Sequence, residues 1–100
     1  MNWIQFSDAI RQRRVVVLSY HGYVRTVEPH CYGVDAAGFE KLRCWQTGGG
    51  SVSGERAGWK LLFLNEIHSA SIPMSGTTFA GTRPGYRPND PAMRTIYAQL

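Results

Sequence analysis

Apolar residues in the first thirteen positions recur at helical spacing. Trp3, Phe6 and Ile10 stand at i, i+3 and i+7 with Ala9 beside them, which predicts a helix over residues 2–13. Asn2 can cap this helix, and Gln5 holds the reciprocal position of a capping box. Arg11, Arg13 and Arg14 fall at its end, where cations suit the helix dipole. Trp3 is expected to be the helix's contact with the rest of the fold.

The pattern then changes to strands. Residues 15–20 are rich in β-branched side chains, His21-Gly22 signals a tight turn, and residues 23–34 should return antiparallel. Pro29 within that run implies an edge, a bulge or a bend. Residues 35–38 read as a second hairpin loop and 39–46 as a third strand, followed by a glycine-rich loop at 47–54. Residues 59–64 are apolar on both faces, which predicts a central fourth strand covered by helix on its outer side. A turn at 65–67 and a short fifth strand at 68–72 complete the set.

From Pro73 the periodicity disappears. Residues 73–89 carry glycine, proline and threonine and are expected to run as an ordered or semi-ordered arm. Asp90-Pro91 has the form of an N-cap followed by proline at the first helical position. Met93, Ile96, Tyr97 and Leu100 then make a helical stripe, so a short C-terminal helix should dock on the domain or on a second subunit. Together these elements predict a mainly β protein. Its expected form is a small, partly open, SH3-like five-stranded barrel with an N-terminal helix and a short C-terminal helix. Residues 1–72 would form the barrel, and residues 73–100 an arm and helix packed on the same domain.

Composition narrows the class. The 100 residues are 43% hydrophobic and 18% charged, which suits one globular domain and argues against disorder. Eleven Lys and Arg against seven Asp and Glu give a net charge of +4, an excess that attracts anionic partners. The longest apolar runs, 15–18 and 61–64, are far too short to span a bilayer, so no membrane association is expected. The N-terminus lacks the form of a secretory signal, which makes a cytoplasmic location with reduced thiols at Cys31 and Cys44 the expectation.

Candidate chemistry concentrates on the hairpin between the second and third strands. If its loop pairs Val34 with Phe39, then Tyr32 faces Lys41, His30 faces Arg43 and Glu28 faces Trp45. All six would share one side, leaving Val27, Cys31, Leu42 and Cys44 as core on the other. Aromatic rings stack on bases and Arg or Lys meets phosphate, so such a face suits single-stranded nucleic acid or a nucleotide. A solvated strand face with paired charges is the alternative, and a slip of one residue would scramble the face. Trp45 is the best stacking candidate, Trp59 fits either core or rim, and Arg83, Tyr86 and Arg87 either extend a basic path or are solvated. His21, His30, Cys31, Cys44 and His68 lack the spacing of a zinc site, so no metal or other cofactor is expected. Gly48-Gly49-Gly50-Ser51 lacks the lysine of a phosphate loop. No set of nucleophile, base and orienting group is visible, and the chain carries no sign of an enzyme.

Several segments resemble a known family. Tyr20 followed by Tyr23-Val24-Arg25-Thr26-Val27-Glu28-Pro29 is similar to the "Y…g..R.veP" segment of WYL domains. Gly38-Phe39-Glu40-Lys41-Leu42-Arg43-Cys44-Trp45 resembles the strand that follows, and residues 59–67 resemble the closing "fr.f.ldrI" segment. The resemblance covers about residues 9–72. It implies an SH3-like (Sm-like) barrel and a ligand-sensing role in bacterial transcription regulators, with single-stranded nucleic acid or nucleotides as ligands. By position it places Tyr20, Arg25, Arg43 and Lys60 on the ligand face. The name-giving tripeptide corresponds to Glu40, Lys41 and Leu42, and Glu66 replaces the arginine of the closing segment. With one helix ahead of the strands, sequence-specific operator binding by these residues alone is not expected. Arg25 shares by alternation the side of Val27. Either a bend near Pro29 changes its facing, or it reaches the rim, or it is buried and paired in a structural role.

The expected ligand site therefore comprises Tyr20, Arg25, His30, Tyr32, Lys41, Arg43, Trp45 and Lys60. The expected function is a sensor module binding single-stranded nucleic acid or a nucleotide. The competing reading is a protein-interaction module, a homo-oligomer or an accessory subunit, in which the arm and last segment wrap a partner.

Overall fold

The computed structural model describes residues 1–74 and 76–100. Its elements are α1 (Trp3–Arg11), β1 (Val16–Tyr20), β2 (Tyr23–Val34), β3 (Glu40–Gly49), β4 (Gly58–Phe63), a 3-10 turn (Leu64–Glu66), β5 (Ile67–Ser71) and β6 (Thr95–Gln99). The six strands form one antiparallel sheet in the order β4-β3-β2-β1-β5, with β6 added to β2. No pairing joins β4 to β5 among the described residues, so the sheet does not close. No helix of the described chain is long and apolar enough to cross a membrane.

Local chemistry accounts for the first elements. The Asn2 side chain accepts the Gln5 N–H at 3.0 Å, and the Gln5 side chain accepts the Asn2 N–H at 2.8 Å, so the capping box is complete. Phe6, Ala9 and Ile10 are buried against the sheet, where α1 lies on β2 and β6. Trp3, expected as the helix's contact, is instead 58% exposed. It stands in the first turn, where α1 overhangs a groove rather than the sheet. His21 and Gly22, with φ of 50° and 80°, supply the positive dihedrals that a two-residue hairpin turn needs.

β2 organises the sheet. Residues 23–27 pair with β1, residues 31–34 pair with β6, and β3 runs along most of its other edge. The handover falls at Glu28-Pro29-His30. Pro29 has no N–H to donate, and the β2–β3 register shifts between Pro29 and Cys31, so a bulge stands where the proline implied one. Beneath the bend lies a core of Phe6, Ile10, Val16, Leu18, Val27, Tyr32, Leu42 and Leu62 with their neighbours. Each large side chain buried there contributes about 1.5–3 kcal/mol.

Two expectations are corrected. β4 is an end strand, not a central one, and α1 does not cover it. Its second apolar face is met by the arm, through a hydrogen bond from Trp59 Nε1 to the Pro84 carbonyl at 2.8 Å and stacking of Trp59 with Tyr86. The C-terminal segment is a strand, β6, rather than a helix. Asp90 does cap a turn, accepting the Ala92 N–H at 2.9 Å with its side chain and the Met93 N–H at 3.1 Å with its carbonyl, but the turn does not propagate. A helix so short is marginal by itself, whereas the second half of β2 offers a free edge to the β-favouring Thr95, Ile96 and Tyr97. Gly33 permits the approach, since a Cβ there would overlap the Thr95 carbonyl oxygen. The arm runs without regular secondary structure, as its composition implied, with the reading at Ser75 lying outside the described residues.

Candidate functional site

The bulge redistributes the expected ligand face. Glu28 opposes Trp45 as anticipated, but beyond the bulge Cys31 opposes Arg43, Tyr32 opposes Leu42 and Gly33 opposes Lys41. The loop pairs Val34 with Glu40 rather than Phe39. One extra residue in β2 therefore exchanges the sides of Tyr32 and Cys31. Tyr32 is fully buried in the core against Phe6, their ring centroids 5.9 Å apart, and cannot line an outer face. Cys31, expected in the core, lies under the arm, with its thiol 3.4 Å from the Met93 sulfur. Burial pushes the Cys31 thiol up to about 11 and that of Cys44 up to about 12, so both remain protonated. Among the described residues no group of three or more His, Cys, Asp or Glu gathers in a metal-binding arrangement.

The outer face does collect Glu28, His30, Arg43, Trp45 and Trp59, and the chain roofs it with its own arm. Arg83 grips Glu28 through two hydrogen bonds of 2.7 and 2.9 Å, its guanidinium 5.5 Å from the Trp45 ring centre. Asp90 grips Arg43 at 2.7 Å. Phe79 stacks on the His30 ring with centroids 5.5 Å apart, and Trp59 and Tyr86 close round the same ring. His30 is fully buried. Its Nδ1 lies 2.8 Å from the Glu28 carbonyl, and its Nε2 lies 3.1 Å from the Arg83 backbone nitrogen. The carbonyl can only accept and the amide can only donate, so this is the neutral tautomer with the proton on Nδ1. Burial holds its pKa below the ordinary 6.5. Lys41 is held by Asp35 at 3.1 Å over the Phe63 ring. Five of the expected ligand residues, His30, Tyr32, Lys41, Arg43 and Trp45, are thus engaged by the protein itself.

The remaining three, Tyr20, Arg25 and Lys60, fall outside that roof. Arg25 stays on the inner side of β2, opposite Leu18, and is 3% exposed. Its Nη2 donates to the Tyr20 carbonyl at 3.2 Å and its Nη1 to the Gln46 side-chain oxygen at 3.5 Å. Its Nε has no partner, and no carboxylate among the described residues lies within ion-pair distance. The rings of Tyr20 and Tyr23 flank it at 5.1 and 6.0 Å. Gln46, missed in the sequence because a buried amide has no local signature, carries the connection onward, donating to the Gly50 carbonyl at 3.0 Å. Gly50 abuts the Tyr23 ring so closely that a Cβ would overlap it. Next to it, Ser51 accepts from Lys60, whose ammonium also donates to the Glu55 carbonyl at 2.6 Å. The Tyr20 hydroxyl accepts the Phe63 N–H and faces Glu66, and burial raises its pKa. Arg25, the glycine loop and Lys60 therefore form one connected polar network, two of its members cationic and neither held by a carboxylate.

No protein-family model, no curated protein and no solved structure matches the chain.

Proposed function

We propose that this chain is a sensor module that binds the phosphate of a nucleotide or of single-stranded nucleic acid at the Arg25 end of the sheet. The observation that carries the reading is the Arg25 guanidinium itself. Taking a charge out of water costs several kcal/mol unless a counter-charge compensates. Two hydrogen bonds and two aromatic rings offset part of that cost and leave Nε unpaired. A phosphate at the rim of this network supplies the missing counter-charge, and it suits a planar guanidinium fork. Lys60 on β4 reaches the Ser51 hydroxyl of the glycine loop, and Tyr23, 42% exposed, offers a ring on which a base can stack. The net charge of +4 favours the encounter. The resemblance of residues 9–72 to WYL domains points the same way. The two register shifts along β2 and the antiparallel order of the strands suit a half-open SH3-like barrel of that family.

Fluorescence anisotropy with labelled single-stranded DNA and RNA, duplex controls and a labelled nucleotide over a range of salt tests this. Binding that weakens with salt and prefers single strands is expected. Arg25→Met should weaken it at least tenfold. Because Arg25 is buried, Lys60→Met provides a second variant that leaves the packing intact, and it should reduce both affinity and salt dependence. Unchanged affinity and salt slope in folded Lys60→Met and Arg25→Met would remove this site.

A further inference from the structure

A second site shares no residue with the Arg25 network. A groove of about 620 Å³ runs under the first turn of α1, with Trp3, Phe39, Leu64, Ile67 and Tyr97 along it and Glu40 in its wall. A side cavity of about 360 Å³ is bounded by Trp3, Glu40 and Tyr97 alone. Trp3 is 58% exposed, Phe39 48% and Tyr97 39%. Large aromatic side chains left in water around one concavity mark an interaction surface.

The carboxylate in its wall says what would bind. Glu40 makes no ion pair among the described residues, and the neighbouring cation, Lys41, is committed to Asp35. Behind it lies the fully buried Tyr32 hydroxyl, whose pKa is raised by burial and by its contact with the Glu40 carboxylate. A carboxylate between two exposed aromatic faces attracts a cation, which gains from the ring quadrupoles and the charge together. An anion or a neutral apolar ligand would desolvate Glu40 and leave it without a counter-charge. Nucleic acid is therefore disfavoured here. The side cavity opens through the same three residues on the longer groove, where polar side chains such as Asn2, Asn65 and Ser69 alternate with Phe39, Leu64 and Ile67, so the cation should sit on a longer chain of mixed polarity.

We propose that this groove docks an extended segment of a protein partner, which places an arginine guanidinium between Trp3 and Tyr97 against Glu40. Apolar neighbours in the segment would lie on Phe39, Leu64 and Ile67. Arginine fits better than lysine because its planar group stacks on aromatic rings and meets a carboxylate through two parallel hydrogen bonds.

The test uses the full chain, labelled with ¹⁵N, and a five-residue peptide, acetylated Gly-Leu-Arg-Leu-Gly-amide. Saturable shifts should appear at the Trp3 indole and the Glu40 and Tyr97 amides. The same peptide with citrulline, the neutral isostere of arginine, should bind at least tenfold more weakly. Trp3→Ala and Glu40→Gln, both at positions outside the core, should each weaken the arginine peptide at least tenfold, and Glu40→Gln should narrow its advantage over citrulline. Equal binding of the two peptides, or no shift at Trp3 up to millimolar peptide, overturns the proposal. Tighter binding of the lysine analogue overturns the guanidinium assignment. Single-stranded DNA moving the Trp3 indole in place of the peptide would also overturn it.

Discussion

The Arg83 guanidinium closes on the Glu28 carboxylate with two hydrogen bonds of 2.7 and 2.9 Å, joining residues 55 positions apart in the chain. Glu28 is nearly buried, while Arg83 remains partly in water. The pair is therefore asymmetric. Loss of the arginine strands a buried charge, whereas loss of the carboxylate releases a cation that solvent can take up. Arg83→Met is expected to lower the melting temperature more than Glu28→Gln, and the double variant should recover part of the loss. Hydrogen exchange should show the weakened region confined to residues 79–94 and the strand beneath it. Equal effects of the two single variants, with no recovery in the double, would contradict this asymmetry.

His30 makes the docking of the arm sensitive to pH. Glu28 and Arg83 are the charged groups facing it, and Trp59, Phe79 and Tyr86 supply the apolar walls. Its pKa in the folded protein lies below the ordinary 6.5, so protons bind the unfolded or undocked state more readily. The stabilisation is complete above about pH 6.5 and is lost as pH falls through the lower, folded value, with a slope of up to about 1.4 kcal/mol per pH unit. Protonation also removes the Nε2 lone pair that accepts the Arg83 N–H. Exchange protection of residues 79–86 should therefore drop between pH 7 and pH 5. In His30→Phe that pH dependence should vanish, and its persistence would assign the effect elsewhere.

Asp90 acts in a more acidic window. Burial alone would raise its pKa, but hydrogen bonds from Arg43 and from the Ala92 N–H outweigh burial and hold it below the ordinary 3.8. Its contribution is present above the unfolded value and disappears as pH falls through the folded one. Asp90→Asn should cost about 1–2 kcal/mol at neutral pH, because Arg43 keeps some access to water. It should also loosen the turn before β6. Chemical denaturation at pH 7 and pH 3 checks both statements, since the difference between the variant and the natural chain should shrink at the lower pH.

Gly33 tests the C-terminal strand. Alanine there would push its Cβ into the Thr95 carbonyl oxygen and crowd Met93. Gly33→Ala is expected to cost about 1–3 kcal/mol and to remove exchange protection from residues 95–99 before the rest of the sheet. Gly48→Ala is a suitable control, because its Cβ would meet only Thr26 at an ordinary 4.0 Å. Protection of β6 equal in both variants would show that the close approach does not govern its pairing.

Much of the fold was legible because it rests on neighbours in sequence. The capping box of Asn2 and Gln5, the His21-Gly22 turn and the proline bulge in β2 each depend on a few adjacent residues, and each stands where the residues imply it. The residue types of the candidate site, Tyr20, Arg25 and Lys60, could also be picked out.

Other features were decided only when distant segments met. A bulge can be read from Pro29, but which residue it leaves unpaired depends on β3, and that choice sends Tyr32 into the core and Cys31 out of it. Residues 93–100 fit a helical stripe through Met93, Ile96, Tyr97 and Leu100 and equally an alternating strand through Ile96, Ala98 and Leu100. The free edge of β2 beside Gly33 selects the strand. The arm has no period of its own, so nothing local shows that Arg83 and Asp90 complement Glu28 and Arg43. Local sequence determines dihedral preferences and periodicity, which act over a few residues. Burial and charge pairing act between surfaces, and those surfaces exist only once the chain has folded.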